Sequence, residues 1–126
     1  MNKKNFSEKF FPTKFDGYYV SEDGKVWTEF NRKTGKKDIL REVGTFKRGG
    51  GSPNHRYMAV NISIKNEKGK TLKQIRYYIH RLVAETLVEN PNNCLEIDHI
   101  DRDRTNNDAS NLRWVSRKEN MSFERK

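Results

Sequence analysis

The residues best suited to chemistry lie close together near the C-terminus. Asp98 and His99 end a short apolar stretch, and a polar segment follows them. Asp98 offers the hard oxygen ligand that magnesium and manganese prefer. His99 has the type of side chain that takes up and releases protons near neutral pH. The pair predicts phosphodiester hydrolysis, in which a base activates water and a cation neutralises the charge that builds on the phosphate.

Two asparagines extend this candidate site. Asn120 falls in the first turn of an expected terminal helix, where its amide oxygen could be a second metal ligand. Asn111 could either pin the polar loop or orient the imidazole of His99, and the sequence leaves both roles open. Adjacent residues of a regular strand point to opposite faces, so Asp98 and His99 can share a site only where the strand ends or bends.

The composition points to a polyanionic partner. Among 126 residues, 26 lysines and arginines exceed 17 aspartates and glutamates, which gives a formal net charge of +9. An excess of this size favours nucleic acid, because neutralising phosphates releases counterions. A basic protein of the ribosomal type is the alternative that charge alone leaves open.

The sequence also favours a reducing compartment. The single cysteine, Cys94, excludes an intrachain disulfide and argues against a zinc site built from cysteines. The charged N-terminus lacks the apolar stretch of a signal peptide, and no run approaches the ~18 apolar residues of a membrane span. We therefore expect a cytoplasmic protein with no membrane partner.

Two other candidate sites are weaker. The spacing of Asp101, Asp103 and Thr105 resembles the start of an EF-hand calcium loop. That loop needs glycine at position six and glutamate at position twelve, where this chain has Asn106 and Leu112, so calcium binding of this kind is rejected. His80 lies among apolar residues, and we expect it to be a structural histidine with its hydrogen bonds satisfied.

The N-terminal part is expected to form an antiparallel sheet. Residues 17–27 predict a hairpin, because two β-prone runs flank a turn that contains Asp23-Gly24. Strands are expected at 57–64 and 72–78. Between the hairpin and the strand at 57–64, Lys47 and Arg48 precede a glycine-rich stretch that predicts a mobile loop; the alternative is a loop that orders on the DNA backbone.

The C-terminal part predicts a helix followed by two strands and a second helix. Apolar residues at helical spacing predict a central helix over 79–88. Strands are expected at 94–100 and 112–115, joined by a polar loop. Ser116 and Glu119 form a capping box that starts a terminal helix near residue 117. The fold class is α+β, with a β-rich DNA-binding module at 1–78 and a helix-containing catalytic motif at 79–126.

At these residues the sequence resembles the HNH endonucleases, and within them the branch of the phage homing endonucleases. The matching blocks are His80–Ala84, Glu96–Asp101, Thr105–Asn107, Asn111–Val115 and Glu119–Asn120. The hairpin at Tyr18–Trp27 also resembles the small module that often precedes HNH domains. Larger homing enzymes often carry a C-terminal helical DNA-reading domain, and residues 1–126 are not expected to contain one. Sequence specificity is therefore expected to come from the N-terminal sheet and its loops or from a second subunit; otherwise it is expected to be low.

The resemblance implies a ββα-metal site that binds one divalent ion, Mg²⁺ or Mn²⁺. Asp98 and Asn120 would be metal ligands, His99 the general base, and Asn111 the residue that holds the loop and helps to position the base. Basic side chains expected near the scissile phosphate are Arg102, Arg104 and Arg113. The implied substrate is double-stranded DNA in the cytoplasm, of a bacterial host if a phage encodes the protein.

One such motif cuts one strand, so a monomer is expected to nick and a homodimer could break both strands. The alternative from another class is a DNA-binding protein, a repressor or packaging accessory, that keeps the fold without cutting. RNA binding rests only on charge and scattered aromatic residues, and no RNA-binding motif supports it.

Overall fold

The N-terminal strands form two antiparallel sheets, whereas the sequence predicted one. The computed structural model describes residues 9–49 and 56–119. The first sheet contains β1 (Phe11–Pro12), β2 (Tyr18–Val20), β3 (Val26–Phe30) and β4 (Lys37–Glu42), in that order. The second contains β5 (Phe46–Arg48), β6 (Tyr57–Lys65) and β7 (Thr71–Tyr78). Each sheet has an apolar face, and packing the two faces together removes more apolar surface from water than one wider sheet would.

The predicted hairpin is confirmed. Strands β2 and β3 are antiparallel neighbours, with Val20 paired to Val26 and Tyr19 paired to Trp27. The connecting turn closes through a hydrogen bond from the Gly24 N–H to the Ser21 carbonyl at 3.0 Å. Gly24 has a φ of 86°, a left-handed conformation that side chains with a Cβ rarely adopt.

The prediction that Lys47 and Arg48 lie in a loop is wrong. Both belong to β5, where Lys47 pairs with Met58 and Arg48 with Tyr57 of β6. Their side chains remain exposed. The glycine-rich part of the expected loop, residues 50–55, lies outside the described residues.

One core joins the two sheets to the central helix. The helix, α1 (Ile79–Leu87), follows β7 directly and confirms the predicted helix at 79–88 to within one residue. The largest fully buried side chains at its centre are Val20 and Val26 of the first sheet, Val60 and Ile62 of the second, and Leu82 and Val83 of α1. Burial of a side chain of this size stabilises the fold by about 1.5–3 kcal/mol.

The C-terminal elements follow the predicted order. Strand β8 (Glu96–His99) pairs antiparallel with β9 (Leu112–Val115), and the loop between them ends in a 3₁₀ turn at Ala109–Asn111. Residues 117–119 are helical. The capping box is formed, because the Glu119 N–H donates to the Ser116 hydroxyl at 3.1 Å and the Ser116 N–H donates to the Glu119 carboxylate at 3.0 Å. The α+β fold class is therefore confirmed.

None of the helices in residues 9–49 and 56–119 has the length and apolar character needed to span a membrane.

Candidate active site

His99 lies at the last position of β8 and is only 5% exposed. Its Nε2 atom is 2.9 Å from the side-chain oxygen of Asn107, which is equally buried. An amide oxygen can only accept a hydrogen bond, so Nε2 carries the hydrogen and the lone pair of the neutral ring is left on Nδ1. The geometry thus prepares Nδ1 to take a proton.

Asn111 pins the loop between β8 and β9, which we call the β8–β9 loop (residues 101–111). Its side-chain amide donates to the Asp101 carboxylate at 2.9 Å and to the Asn106 carbonyl at 2.8 Å. Its amide oxygen accepts from the Asp101 N–H at 3.0 Å. Of the two roles that the sequence left open, the hydrogen bonds correspond to loop pinning, and the direct contact with His99 is made by Asn107.

Asp98 is paired with Arg113. The Nε and Nη2 atoms of Arg113 lie 2.9 and 2.8 Å from the same carboxylate oxygen, and the carboxylate is 7% exposed. The two residues face each other across β8 and β9, so their side chains share one face of the hairpin. The hydrogen bonds of Asp98 and His99 therefore lead to different partners, as the alternation of a strand predicts.

His80 adjoins His99 in a cluster of rings. Its ring centroid lies 5.1 Å from that of His99, 4.8 Å from that of Tyr57 and 5.4 Å from that of Tyr78. Among the described residues, its Nδ1 is the one buried side-chain nitrogen or oxygen without a hydrogen-bond partner. The expectation that all its hydrogen bonds are satisfied is therefore wrong.

The surroundings of His80 disfavour its charged form. Burial, followed by the nearby His99, Arg81 and Arg104, lowers the pKa of His80 from 6.5 to about 3. An imidazole with this pKa is neutral throughout the physiological range. It can pack against His99 without adding a positive charge beside it.

The other predicted site residues occupy different positions. The guanidinium of Arg104 lies 5.0 Å from the centre of the Tyr57 ring, next to the ring cluster. Arg102 is exposed on the β8–β9 loop with a φ of 67°. Lys47 and Arg48 lie at the end of β5, where Arg48 is paired with Tyr57. Arg113 is committed to Asp98, and Asn120 lies outside the described residues.

The donor chemistry fits a hard divalent cation. Within the described part of the chain, no three His, Cys, Asp or Glu side chains are grouped so as to hold a metal ion alone. Mg²⁺ commonly keeps several waters and takes only one or two protein carboxylates. Asp98 offers one carboxylate, and the paired Arg113 holds it in place, as outer partners hold metal ligands in other proteins.

Sequence reasoning missed the role of Asn107. The signal was present, because Asn106 and Asn107 follow His99 within one short polar loop. Which of the three loop asparagines would face the imidazole depends on the loop conformation. That conformation depends in part on the distant β2–β3 turn, whose Glu22 carbonyl accepts from the Ala109 N–H, and the local pattern does not reveal this contact.

Comparison with known proteins agrees with this geometry. Residues 77–122 match the family model of the HNH endonucleases. An uncharacterised HNH endonuclease of Acanthamoeba polyphaga mimivirus is 36% identical over 106 residues, which cover 84% of this chain and 26% of the relative. The DNA endonuclease I-HmuI of Bacillus phage SP01 is 34% identical over 112 residues, covering 85% of this chain and 51% of that protein.

A solved structure shares the fold as well. The structure described as DNA binding and cleavage by the HNH homing endonuclease I-HmuI superposes with a TM-score of 0.59 at 26% sequence identity. The match covers 87% of this chain and 52% of that one, so the chain spans about half the length of I-HmuI. The matched segment contains the β8–β9 hairpin and the histidine at the end of its first strand, so this C-terminal part of the chain is similar to the HNH endonucleases.

Proposed function

We propose that this protein is a metal-dependent DNA endonuclease that hydrolyses phosphodiester bonds in double-stranded DNA. The observation that carries the proposal is the hydrogen bond between His99 and Asn107, which fixes one ring nitrogen and frees the other. A general base needs this arrangement, and a protein that only binds DNA does not. An enzyme of this kind would meet its DNA in the cytoplasm, of a bacterial host if a phage encodes it.

Each polar side chain of the site then has a distinct task. His99 would accept a proton at Nδ1 from the attacking water. Asp98 and Asn120 would hold the Mg²⁺ or Mn²⁺ ion, and Arg113 would keep the Asp98 carboxylate in place. When bound, the cation would neutralise charge on the phosphate and on the leaving 3′-oxygen.

Phosphate contacts near the cut would come from the arginines beside the ring cluster. Arg104, stacked on Tyr57, is next to the catalytic histidine, and Arg102 is exposed on the same loop. Lys47 and Arg48 lie on the strand that pairs with the start of β6, so they extend the basic surface from the same end of the sheet.

A second basic surface is built from two turns that touch each other. Added Cβ atoms at Gly35 and Gly69 would each collide with the backbone of the other glycine, so the β3–β4 and β6–β7 turns are in backbone contact. We call residues 31–37 and 65–73 the joined-turn surface. They carry eight lysines and arginines against one glutamate: Arg32, Lys33, Lys36, Lys37, Lys65, Lys68, Lys70 and Lys73, with Glu67.

The joined-turn surface suits the phosphate backbone away from the cut. Strand β6 begins at Tyr57, beside His99, and ends at Lys65, next to the turn. Nine residues of a strand span about 30 Å, which corresponds to about nine base pairs of duplex at 3.4 Å each. The N-terminal module would thus grip DNA about nine base pairs from the scissile phosphate.

The test is cleavage of supercoiled plasmid with Mg²⁺, with Mn²⁺ and with EDTA. We expect metal-dependent conversion to open circles, and its loss in His99→Ala. Ser110→Ala is the matched control, because Ser110 is exposed on the same loop and its hydroxyl donates to Asp108 at 2.7 Å, away from His99. Thermal melting and DNA binding in EDTA would show that both variants fold.

The product identifies the mode of action. Open circles indicate one cut per active site, and an early linear product indicates paired subunits. If no DNA is cut under any condition while mobility shifts at low salt, the protein is a non-cutting DNA-binding protein and the proposed function fails.

A further inference from the structure

The N-terminal hairpin turn is docked on the loop that orients His99. The Ala109 N–H donates to the Glu22 carbonyl at 2.8 Å, which ties the β8–β9 loop to the β2–β3 turn. Two residues further along the turn, the backbone of Gly24 lies directly against Asn107. Asn107 is thus enclosed between the turn on one side and His99 on the other.

Gly24 permits this approach for two reasons. A Cβ added at Gly24 would overlap the backbone carbonyl group of Asn107 and would also lie too close to the Asn107 Cβ. The φ of 86° is also one that only glycine adopts without strain. Any larger residue at this position must displace either the turn or Asn107.

The β8–β9 loop holds Asn107 from the other direction. The carbonyl of the preceding residue, Asn106, accepts from the Asn111 side chain at 2.8 Å. The Asn106 side chain donates to Asp101 at 2.8 Å. With these bonds on one flank and the hairpin turn on the other, Asn107 has little freedom to move away from the imidazole.

We propose that Asn107 is the positioning residue of the general base, and that the β2–β3 turn of the N-terminal module holds it in place. The inference rests on the proposed endonuclease function. Asn107 accepts the Nε2 hydrogen of His99, which fixes the tautomer and the ring angle and directs the Nδ1 lone pair toward the attacking water. The N-terminal module therefore assembles the catalytic base as well as contacting DNA.

The first test compares Asn107→Leu with Asn107→Asp. Both replacements have nearly the shape of asparagine, but only aspartate keeps an acceptor oxygen. We expect kcat of Asn107→Leu to fall about 10–100-fold with the KM for DNA unchanged, and Asn107→Asp to recover most of the loss. Equal losses in both variants, or a loss confined to KM, would overturn the positioning role.

The second test observes the imidazole directly and needs neither metal nor DNA. Two-bond ¹H–¹⁵N correlation spectra of protein labelled with ¹⁵N-histidine distinguish the two neutral tautomers. Because the chain has only three histidines, His99→Ala assigns the His99 signals. We expect the Nε2–H form in the parent protein at pH 8 and a mixture of tautomers in Asn107→Leu. An unchanged tautomer in that variant contradicts the proposal.

The third test addresses the hairpin turn. Gly24→Ala is compared with Gly17→Ala, whose φ of 81° imposes similar backbone strain and whose Cβ would meet the Phe30 ring instead of the loop. We expect similar losses of Tm in both, with a fall in kcat and mixed His99 tautomers only in Gly24→Ala. A matching fall of kcat in Gly17→Ala would reduce the role of the turn to general stability.

These outcomes separate the two proposals. If the parent protein cuts no DNA but the tautomer changes in Asn107→Leu, the endonuclease function fails while the positioning contact stands. If the parent cuts and Asn107→Leu cuts equally well, the function stands and the inference fails.

Discussion

The two histidines of the ring cluster differ in their hydrogen bonding. His99 has a hydrogen-bonding partner that fixes its tautomer, whereas His80 has a buried Nδ1 that finds no partner among the described residues. A buried polar atom of this kind costs stability. His80 is therefore best explained by its place against His99, where a neutral ring adds a rigid wall without adding charge.

The neutral state of His80 predicts a pH dependence of stability. Its pKa of about 3 in the folded protein lies below the ordinary 6.5, so between these values the unfolded chain binds a proton that the folded chain does not. The free energy of unfolding should then fall as the pH falls, by about 2 kcal/mol between pH 7 and pH 5. Carboxylates with lowered pKa values contribute mainly below this window.

His80→Phe is the measurement that isolates this effect. Phenylalanine keeps a ring beside Tyr57, Tyr78 and His99 but cannot be protonated. Denaturant unfolding at pH 7 and pH 5 should show a smaller loss of stability in the variant than in the parent protein. Equal losses would mean that His80 is not the group responsible.

Arg113 should act through Asp98 and not through DNA. The Nε and Nη2 atoms of Arg113 donate to one Asp98 oxygen, so Arg113→Ala should cost about 1–3 kcal/mol of stability. The slope of log Kd against log salt, measured in EDTA, should stay the same.

Arg104→Ala should reduce that slope by about 1, as expected for one lost phosphate contact. Arg41→Ala is the control, because Arg41 is paired with Asp38 at 2.7 Å.

A reduced salt slope in Arg113→Ala would restore the role at the scissile phosphate that the sequence suggested. At this scale the sequence indicated which residues form the candidate site, since Asp98, His99 and Asn111 stand out by chemistry and spacing. It could not indicate their partners, because Asn107 and Arg113 reach them only after the β8–β9 hairpin has formed.

At the scale of elements, strands with strong patterns were predictable and strands with weak ones were not. The Asp23-Gly24 turn marked β2 and β3, and the apolar alternation of Val60 and Ile62 marked β6. Strand β4 was missed because it is charged and mostly exposed, so it has no apolar period to detect. Strand β5 was missed for a different reason: it has only three residues, and the glycine run after Arg48 favoured a loop.

The capping box predicts a link between a helix start and metal use. Ser116 accepts the Glu119 N–H, and Asn120, the proposed metal ligand, is the next residue in the sequence. Ser116→Ala removes a cap worth about 1 kcal/mol, which should raise the Mg²⁺ concentration for half-maximal cleavage up to about fivefold. Ser116→Thr, which keeps the hydroxyl, should behave like the parent. An unchanged metal requirement in Ser116→Ala would disconnect the cap from the ligand.

At the scale of the whole molecule, the joined-turn surface and the proposed catalytic site lie at opposite ends of β6. Strand β6 runs from the ring cluster at Tyr57 to the joined-turn surface at Lys65. The turns that carry the lysines touch through Gly35 and Gly69, so the basic residues of the two turns lie side by side. A long-range electrostatic surface of this kind supplies affinity without sequence information, because it contacts phosphates.

This arrangement predicts that binding and cutting can be weakened separately. Lys68→Ala with Lys70→Ala removes two exposed cations from the joined-turn surface. The control, Lys14→Ala with Lys25→Ala, changes the net charge equally but removes lysines that lie near carboxylates, at 3.3 Å from Glu85 and 4.0 Å from Asp23. Only the first pair should reduce the salt slope of DNA binding, by about 0.9 per lost contact.

The effect of the lysine pair on cleavage should depend on the length of the DNA beyond the nick. Loss of two distant phosphate contacts should raise the KM for duplexes that extend at least about nine base pairs beyond the nick, which is the reach of β6. At saturating DNA, kcat should be unchanged, because His99 and its partner Asn107 lie at the other end of the sheet. On shorter duplexes, which never reach the joined-turn surface, the lysine pair and the parent protein should have the same KM. A reduced kcat, or an equal KM effect on short and long duplexes, would show that these lysines do not contact DNA at a distance from the active site.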